Sequence, residues 1–219
     1  MNQRTRIKIC GLSKASDVEA AVEAGADAIG LVFYARSPRC VTVDVAARLA
    51  GALPPLVTPV GLFVNAPRAK IDAVLAAIPN LALQFHGDET PADCAAFARP
   101  YLKAARIAAG LDLLDFASRY GAAQGLLLDA DVEGFGGGGK VFDWSLVPAG
   151  FSARTGPRLV LSGGLHAGNV CAGILQLRPW AVDVSSGVES TPGVKDAGAI
   201  RRFCDAVREA DSRIAASTA

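Results

Sequence analysis

The chain has 219 residues, 51% hydrophobic and 20% charged, enough apolar material for a folded core and too much for a disordered polymer. Lys and Arg number 22 against 21 Asp and Glu, a net charge of +1, so no global field exists to hold nucleic acid and only local anion sites are open to it. Apolar runs are strand-sized, no 18-residue apolar stretch lacks charge, Gly or Pro, and the first residues carry no signal-peptide core; no membrane partner and a cytoplasmic location are expected.

Short β-branched or apolar runs recur along the chain at residues 6–10, 28–33, 60–64, 82–86, 102–107, 125–129, 158–162 and 181–185. Between them lie Ala-rich segments with helical spacing. The first covers 13–24, with Val18, Ala21 and Val22 on one stripe and Ser13 as its expected N-cap. The second covers 43–52 after Thr42, a further N-cap candidate. In 67–77, Ile71, Val74, Leu75 and Ile78 fall at i, i+3, i+4 and i+7, and Pro67 suits a first helical turn. Segments 91–98, 111–120, 166–177 and 196–209 follow suit. After the sixth strand the chain reads mostly as loop, with a short helix near 143–147.

Eight strand-then-helix units of roughly 27 residues fit a small (β/α)8 TIM barrel, an α/β fold. A doubly wound open sheet is the structural alternative. No linker divides the chain, so 1–219 reads as one catalytic-sized domain, and the small, polar tail 211–219 is expected to fray.

In such a barrel the chemistry sits at the C-terminal ends of the strands. The polar residues there are Cys10, Gln84 with His86, Arg106, Asp129, Ser162, and Asp183 with Ser185 and Ser186. Alternation puts Lys8 and Cys10 on one face, roughly 7 Å apart by strand rise. Polar pairs on strands that otherwise read as buried are costly unless they serve or satisfy something. The five cysteines are odd in number and include no CxxC, and only two His are present, so neither a disulfide framework nor a zinc site is expected. Cys40, Cys94, Cys171 and Cys204 read as structural.

Seven motifs occur in order: KICGL (8–12), SPRCV (37–41), GLFVN (61–65), LQFHGDE (83–89), GGGGKVFDWS (136–145), LSGGL (161–165) and VDVSSGVES with PGVKD (182–196). Together, over nearly the whole chain, they resemble the phosphoribosylanthranilate isomerases. The resemblance implies a (β/α)8 barrel and an Amadori rearrangement of N-(5-phosphoribosyl)anthranilate in tryptophan biosynthesis, with no metal or organic cofactor. It implies Cys10 as general base, Asp129 as general acid and Arg39 as the holder of the anthranilate carboxylate. Two positions depart from the family: Gly138 stands where a hydroxyl residue is common, and Cys40 where an aromatic one is frequent.

The chemistry of these residue types agrees. A free thiol titrates near ~8.5, so only a few per cent is thiolate at neutral pH, and the charge of Lys8 is expected to lower that value. An aspartate of ordinary acidity holds too few protons to act as an acid; a low-dielectric mouth and the substrate's own anions favour its protonated form. Gly163 and Gly164 after the seventh strand, and Ser185, Ser186 and Gly187 after the eighth, suit a phosphate cradle of backbone N–H groups. The run 136–139 reads as a mobile cover. Asp183 either binds a substrate hydroxyl or amine or pairs with Lys8 or Arg106. Asp129 has bland alternatives as a helix or loop cap or as partner of Lys140, and His86 reads as structural. The expected partner is one small phosphorylated substrate, bound by a monomer or homodimer. Other phosphosugar barrels, among them a bifunctional aminoaldose isomerase and an epimerase, and a non-catalytic phospho-ligand barrel are the competing readings.

Overall fold

The strand runs are apolar on both faces, and such strands need cover on both sides. In the computed structural model, which describes residues 4–108, 110–130, 141–151 and 156–217, they close into one parallel barrel in the order β1 to β8. The strands are β1 (Arg6–Cys10), β2 (Ala28–Val32), β3 (Thr58–Phe63), β4 (Ala82–Phe85), β5 (Tyr101–Ile107), β6 (Gly125–Ala130), β7 (Arg158–Leu161) and β8 (Ala181–Val184). A short antiparallel hairpin follows, β9 (Glu189–Thr191) and β10 (Val194–Lys195). Each strand lies within two residues of its expected span.

The helices among the described residues are α1 (Ala15–Glu23), α2 (Val43–Gly51), α3 (Arg68–Ala77), α4 (Pro91–Ala95), α5 (Leu113–Arg119), α6 (Val170–Leu177) and α7 (Ala197–Ala216). After β6 the short helix expected near 143–147 is a 3-10 turn, Trp144–Leu146. Thr42 caps α2 as expected, accepting from Val45 N–H at 3.3 Å. Ser13 does not cap α1; Lys14 occupies that position and offers no side-chain bond. Pro67 stands one residue before its expected place, at the N-cap of α3.

Outward strand residues such as Ile9, Ile29, Leu31, Phe63, Leu83 and Leu126 are essentially inaccessible and pack on the helices. Each contributes about 1.5–3 kcal/mol of burial free energy. The inward residues split by height. Ala104, Leu127, Val160 and Ala181 fill the lower interior. Cys10, Val32, Leu62 and Val64 form an apolar wall near the top.

Part of the tail expected to fray from residue 211 lies in the last helix. Helix α7 runs to Ala216, and Asp211 accepts from Thr5 N–H at 2.9 Å and Thr5 Oγ1 at 2.7 Å, so the last helix is tied to the residue leading into β1. No helix among the described residues is long and apolar enough to cross a membrane.

Candidate active site

The top of the barrel gathers its polar side chains on two sides. On one side β1 and β8 are neighbours, with Lys8 paired in register to Asp183. Lys8 Nζ donates to Asp183 Oδ1 at 2.8 Å, both side chains about 5% exposed. Ser162 adds a long 3.4 Å bond to Asp183 Oδ2. Asp183 therefore takes Lys8 of its two expected partners, while Arg106 binds Asp88 at 2.6 Å. Cys10 lies one turn of the pleat above Lys8, and Gly30 on β2 makes room for both. A Cβ on Gly30 would stand 2.6 Å from Cys10 Sγ and 3.0 Å from Lys8 Nζ.

Burial pushes the Cys10 thiol above its ordinary value. Lys8 pulls the other way, as the sequence reading expects, but Asp183 pushes the thiol up again, and the net direction is upward. The expected lowering by Lys8 is thus outweighed, because a buried ion pair presents little net charge and the thiol is screened from water. Burial also opposes the charge on Lys8, yet Asp183 and then Cys10 hold the ammonium above its usual range.

The other side is β6 and β4. Asp129 is 6% exposed and accepts from Ala130 N–H at 2.9 Å through Oδ1. Its Oδ2 lies 3.0 Å from His86 Nε2, and His86 Nδ1 lies 3.1 Å from Gln84 Nε2. The histidine that reads as merely structural in the sequence is the direct neighbour of Asp129. Strand alternation puts Gln84 and His86 on one face, but the 43-residue separation from Asp129 carries no local signal.

Around the barrel β7 and β8 stand between β6 and β1. Their loops therefore bridge the two sides. Gly163 and Gly164 both adopt left-handed φ, +78° and +63°. A Cβ on Gly163 would come within 3.0 Å of Asp129 Oδ1. Ser185 Oγ donates to the Cys10 carbonyl at 3.0 Å and receives Lys195 Nζ at 3.3 Å, so its hydroxyl is already engaged. Ser186 and Gly187 form a 3-10 turn, Ser186–Val188, which lies against the β7 loop so closely that a Cβ on Gly187 would overlap the Leu165 carbonyl.

The rim over Cys10 is built by Arg39. Its stem lies on Gly11, where φ is +80° and a Cβ would meet Arg39 Cδ at 2.5 Å. Its Nε and one terminal nitrogen donate to the two oxygens of Glu189, 2.7 Å each. Glu189 also accepts from Lys195 Nζ at 2.6 Å and Gly193 N–H at 3.1 Å. Burial works against the Glu189 charge, but Arg39 and Lys195 hold its carboxyl below the usual range. Neither Glu189 nor Lys195 stands out in the sequence beyond lying within a quoted motif. The glycine run 136–139 and Lys140 lie outside the described residues.

Residues 7–206 match the family model described as N-(5'-phosphoribosyl)anthranilate (PRA) isomerase. A protein named N-(5'-phosphoribosyl)anthranilate isomerase from Methylibium petroleiphilum is 68% identical over 214 residues, covering 98% of this chain and 99% of that protein. The structure of phosphoribosyl anthranilate isomerase from Thermotoga maritima superposes with a TM-score of 0.86 at 40% identity, covering 94% of this chain and 99% of that one. A second structure of such an enzyme, in complex with reduced 1-(o-carboxyphenylamino)-1-deoxyribulose 5-phosphate, superposes with a TM-score of 0.82 at 38% identity and covers 94% and 99%.

Proposed function

Because this chain belongs to the N-(5'-phosphoribosyl)anthranilate isomerase family, we propose that Cys10 and Asp129 are the base and the acid with which it acts. Its activity is the rearrangement of N-(5-phosphoribosyl)anthranilate to 1-(2-carboxyphenylamino)-1-deoxyribulose 5-phosphate, a step of tryptophan biosynthesis. One observation carries the assignment of roles. Two buried side chains that can exchange protons flank the arc spanned by the two glycine-containing loops, Cys10 beside Ser185 and Asp129 beside Gly163.

The chemistry then follows. A protonated Asp129 gives its proton to the furanose ring oxygen, and the C1′–O bond breaks to leave a cationic Schiff base. Cys10 thiolate takes the C2′ proton, the electron pair moves toward the nitrogen, and an enolamine forms that tautomerises to the ketose. The Schiff-base cation supplies the charge that Lys8, neutralised by Asp183, does not. The backbone N–H groups of Gly163, Gly164, Ser186 and Gly187 suit the phosphate, with Ser185 shaping the loop through its hydroxyl. Arg39 keeps one guanidinium edge for the anthranilate carboxylate.

His86 governs which atom of the acid site carries the proton. Gln84 Nε2 has only hydrogens to offer, so Nδ1 accepts and Nε2–H donates to Asp129. Gln84 Oε1 is buried without a partner. Turning that amide over places the ring proton on Nδ1 and makes Nε2 an acceptor, an arrangement that accommodates a protonated Asp129.

Fluorescence assay of freshly made phosphoribosylanthranilate tests the roles. Cys10→Ala and Asp129→Asn should each lower kcat by about two to four orders of magnitude with unchanged circular dichroism. Near-native turnover in either variant removes that residue from the mechanism.

A further inference from the structure

Glu189 has no role in the reaction as written, yet its carboxylate gathers four donors at the rim of the site: Arg39 Nε, Arg39 Nη2, Lys195 Nζ and Gly193 N–H. Its side chain is 4% exposed. A buried carboxylate is costly unless well paired, and here two cations surround one anion. The cluster keeps a surplus positive charge at the mouth. It also controls how that charge is displayed.

A guanidinium has a side edge, Nε with one terminal nitrogen, and an end edge made of both terminal nitrogens. Glu189 fills the side edge of Arg39 in a two-bond fork. The stem is trapped as well, because Arg39 Cδ occupies the space where Gly11 lacks a side chain. Arg39 N–H bonds Ser37 Oγ at 3.2 Å. The hairpin carrying Glu189 is docked on the same loop, since a Cβ on Gly193 would meet the Pro38 carbonyl at 3.0 Å. Lys195, at the far end of the hairpin, donates to the Ser185 carbonyl at 2.9 Å and so ties the cluster to the strand end beside Cys10.

We propose that Glu189 is the positioning residue for Arg39, holding its side edge so that the end edge is preset for the planar carboxylate of the substrate's aromatic ring. Glu189 touches no reacting atom. It makes Arg39 selective by removing the rotamers in which a free arginine would spend its time, an ordering cost otherwise met on binding. The inference rests on the reading of Arg39 as the carboxylate holder.

The experiment compares two ligands by calorimetry: reduced 1-(o-carboxyphenylamino)-1-deoxyribulose 5-phosphate, and the same compound without the ring carboxylate. The preference of the native protein for the carboxylated ligand is the reference. Arg39→Ala should abolish it, by about tenfold or more. Glu189→Gln should bring it within about threefold of the Arg39→Ala value, and the double variant should lose no more than Arg39→Ala alone. In turnover, Glu189→Gln should raise KM more than it lowers kcat, which a general loss of structure would not do. Glu189→Asp keeps the charge but draws the carboxylate back by one methylene; it should move the preference the same way with native thermal unfolding, and it decides the matter if Glu189→Gln does not fold. A native preference in the folded Glu189 variants, or additive losses in the double variant, overturns the positioning role and leaves the Arg39 reading intact. A preference that survives Arg39→Ala removes that reading and the proposal with it.

Discussion

Cys10 sits between opposing influences, and their balance has a measurable sign. Burial and Asp183 raise its thiol while Lys8 and Lys195 lower it, and burial comes first. Cys10 in the free protein, followed by mass spectrometry of its own peptide, should therefore react with iodoacetamide along a pH curve whose midpoint lies above that of a small-molecule thiol, and the phosphorylated product analogue should protect it. A midpoint below the free-thiol value would mean that Lys8 and Lys195 dominate instead. Gly30 is the second residue with a definite expectation. Gly30→Ala forces a methyl to within 2.6 Å of Cys10 Sγ. It should lower kcat by about tenfold or more and stability by about 1–3 kcal/mol, the range of over-packing; denaturant titration and turnover check both. The role of Gly30 is hidden in sequence because glycine in a strand signals only a close approach, not what approaches. Glu189 is hidden for a related reason: an acid in a short hairpin near Lys195 reads as a solvated pair, and only the fold brings Arg39 from 150 residues away.

At the level of elements, the strands were the most legible part of the chain and the helix ends the least. Strand runs are short and bounded by turn residues, so their limits moved little. Helix ends depend on which donor finds the first free N–H groups. Thr42 reaches Val45 N–H, whereas Ser13 lies one residue before the N-cap of α1, which starts at Ala15. The tail of α7 shows the same dependence on partners. Residues 211–219 are small and polar, yet Asp211 binds both the N–H and the hydroxyl of Thr5, which is 5% exposed. Asp211→Ala leaves two donors unpaired there and should cost about 1–3 kcal/mol, with the C-terminal turns losing hydrogen-exchange protection first. An unchanged urea midpoint would show that water replaces the carboxylate without loss.

At the scale of the whole molecule, the buried thiols Cys94 and Cys204 serve as apolar groups, and they make its stability depend on alkaline pH. Burial pushes Cys94 up to about 12 and Cys204 up to about 11. In the unfolded chain both ionise near the ordinary thiol value, so above it the unfolded state holds fewer protons than the folded one. The stability they contribute is complete below the ordinary value and declines as pH rises toward 11 and 12. Urea unfolding from pH 8 to 10.5 should therefore show a falling midpoint, and Cys94→Ala with Cys204→Ala should flatten that slope.

Eight apolar strands alternating with helical segments determined a parallel α/β fold, because strands apolar on both faces need cover on both sides, whereas the choice of a closed barrel over an open sheet was settled by the strand pairing of the structure. Polar residues at strand ends marked a set that includes Cys10 and Asp129, since the C-terminal rim is where such a barrel exposes side chains, and the resemblance to a known family singled out those two. The pairings Lys8 with Asp183, His86 with Asp129, and Arg39 with Glu189 were decided by the tertiary structure alone. Each joins residues separated by 43 to 175 positions, and hydrogen bonds at such range depend on barrel closure and loop docking, which no local pattern encodes.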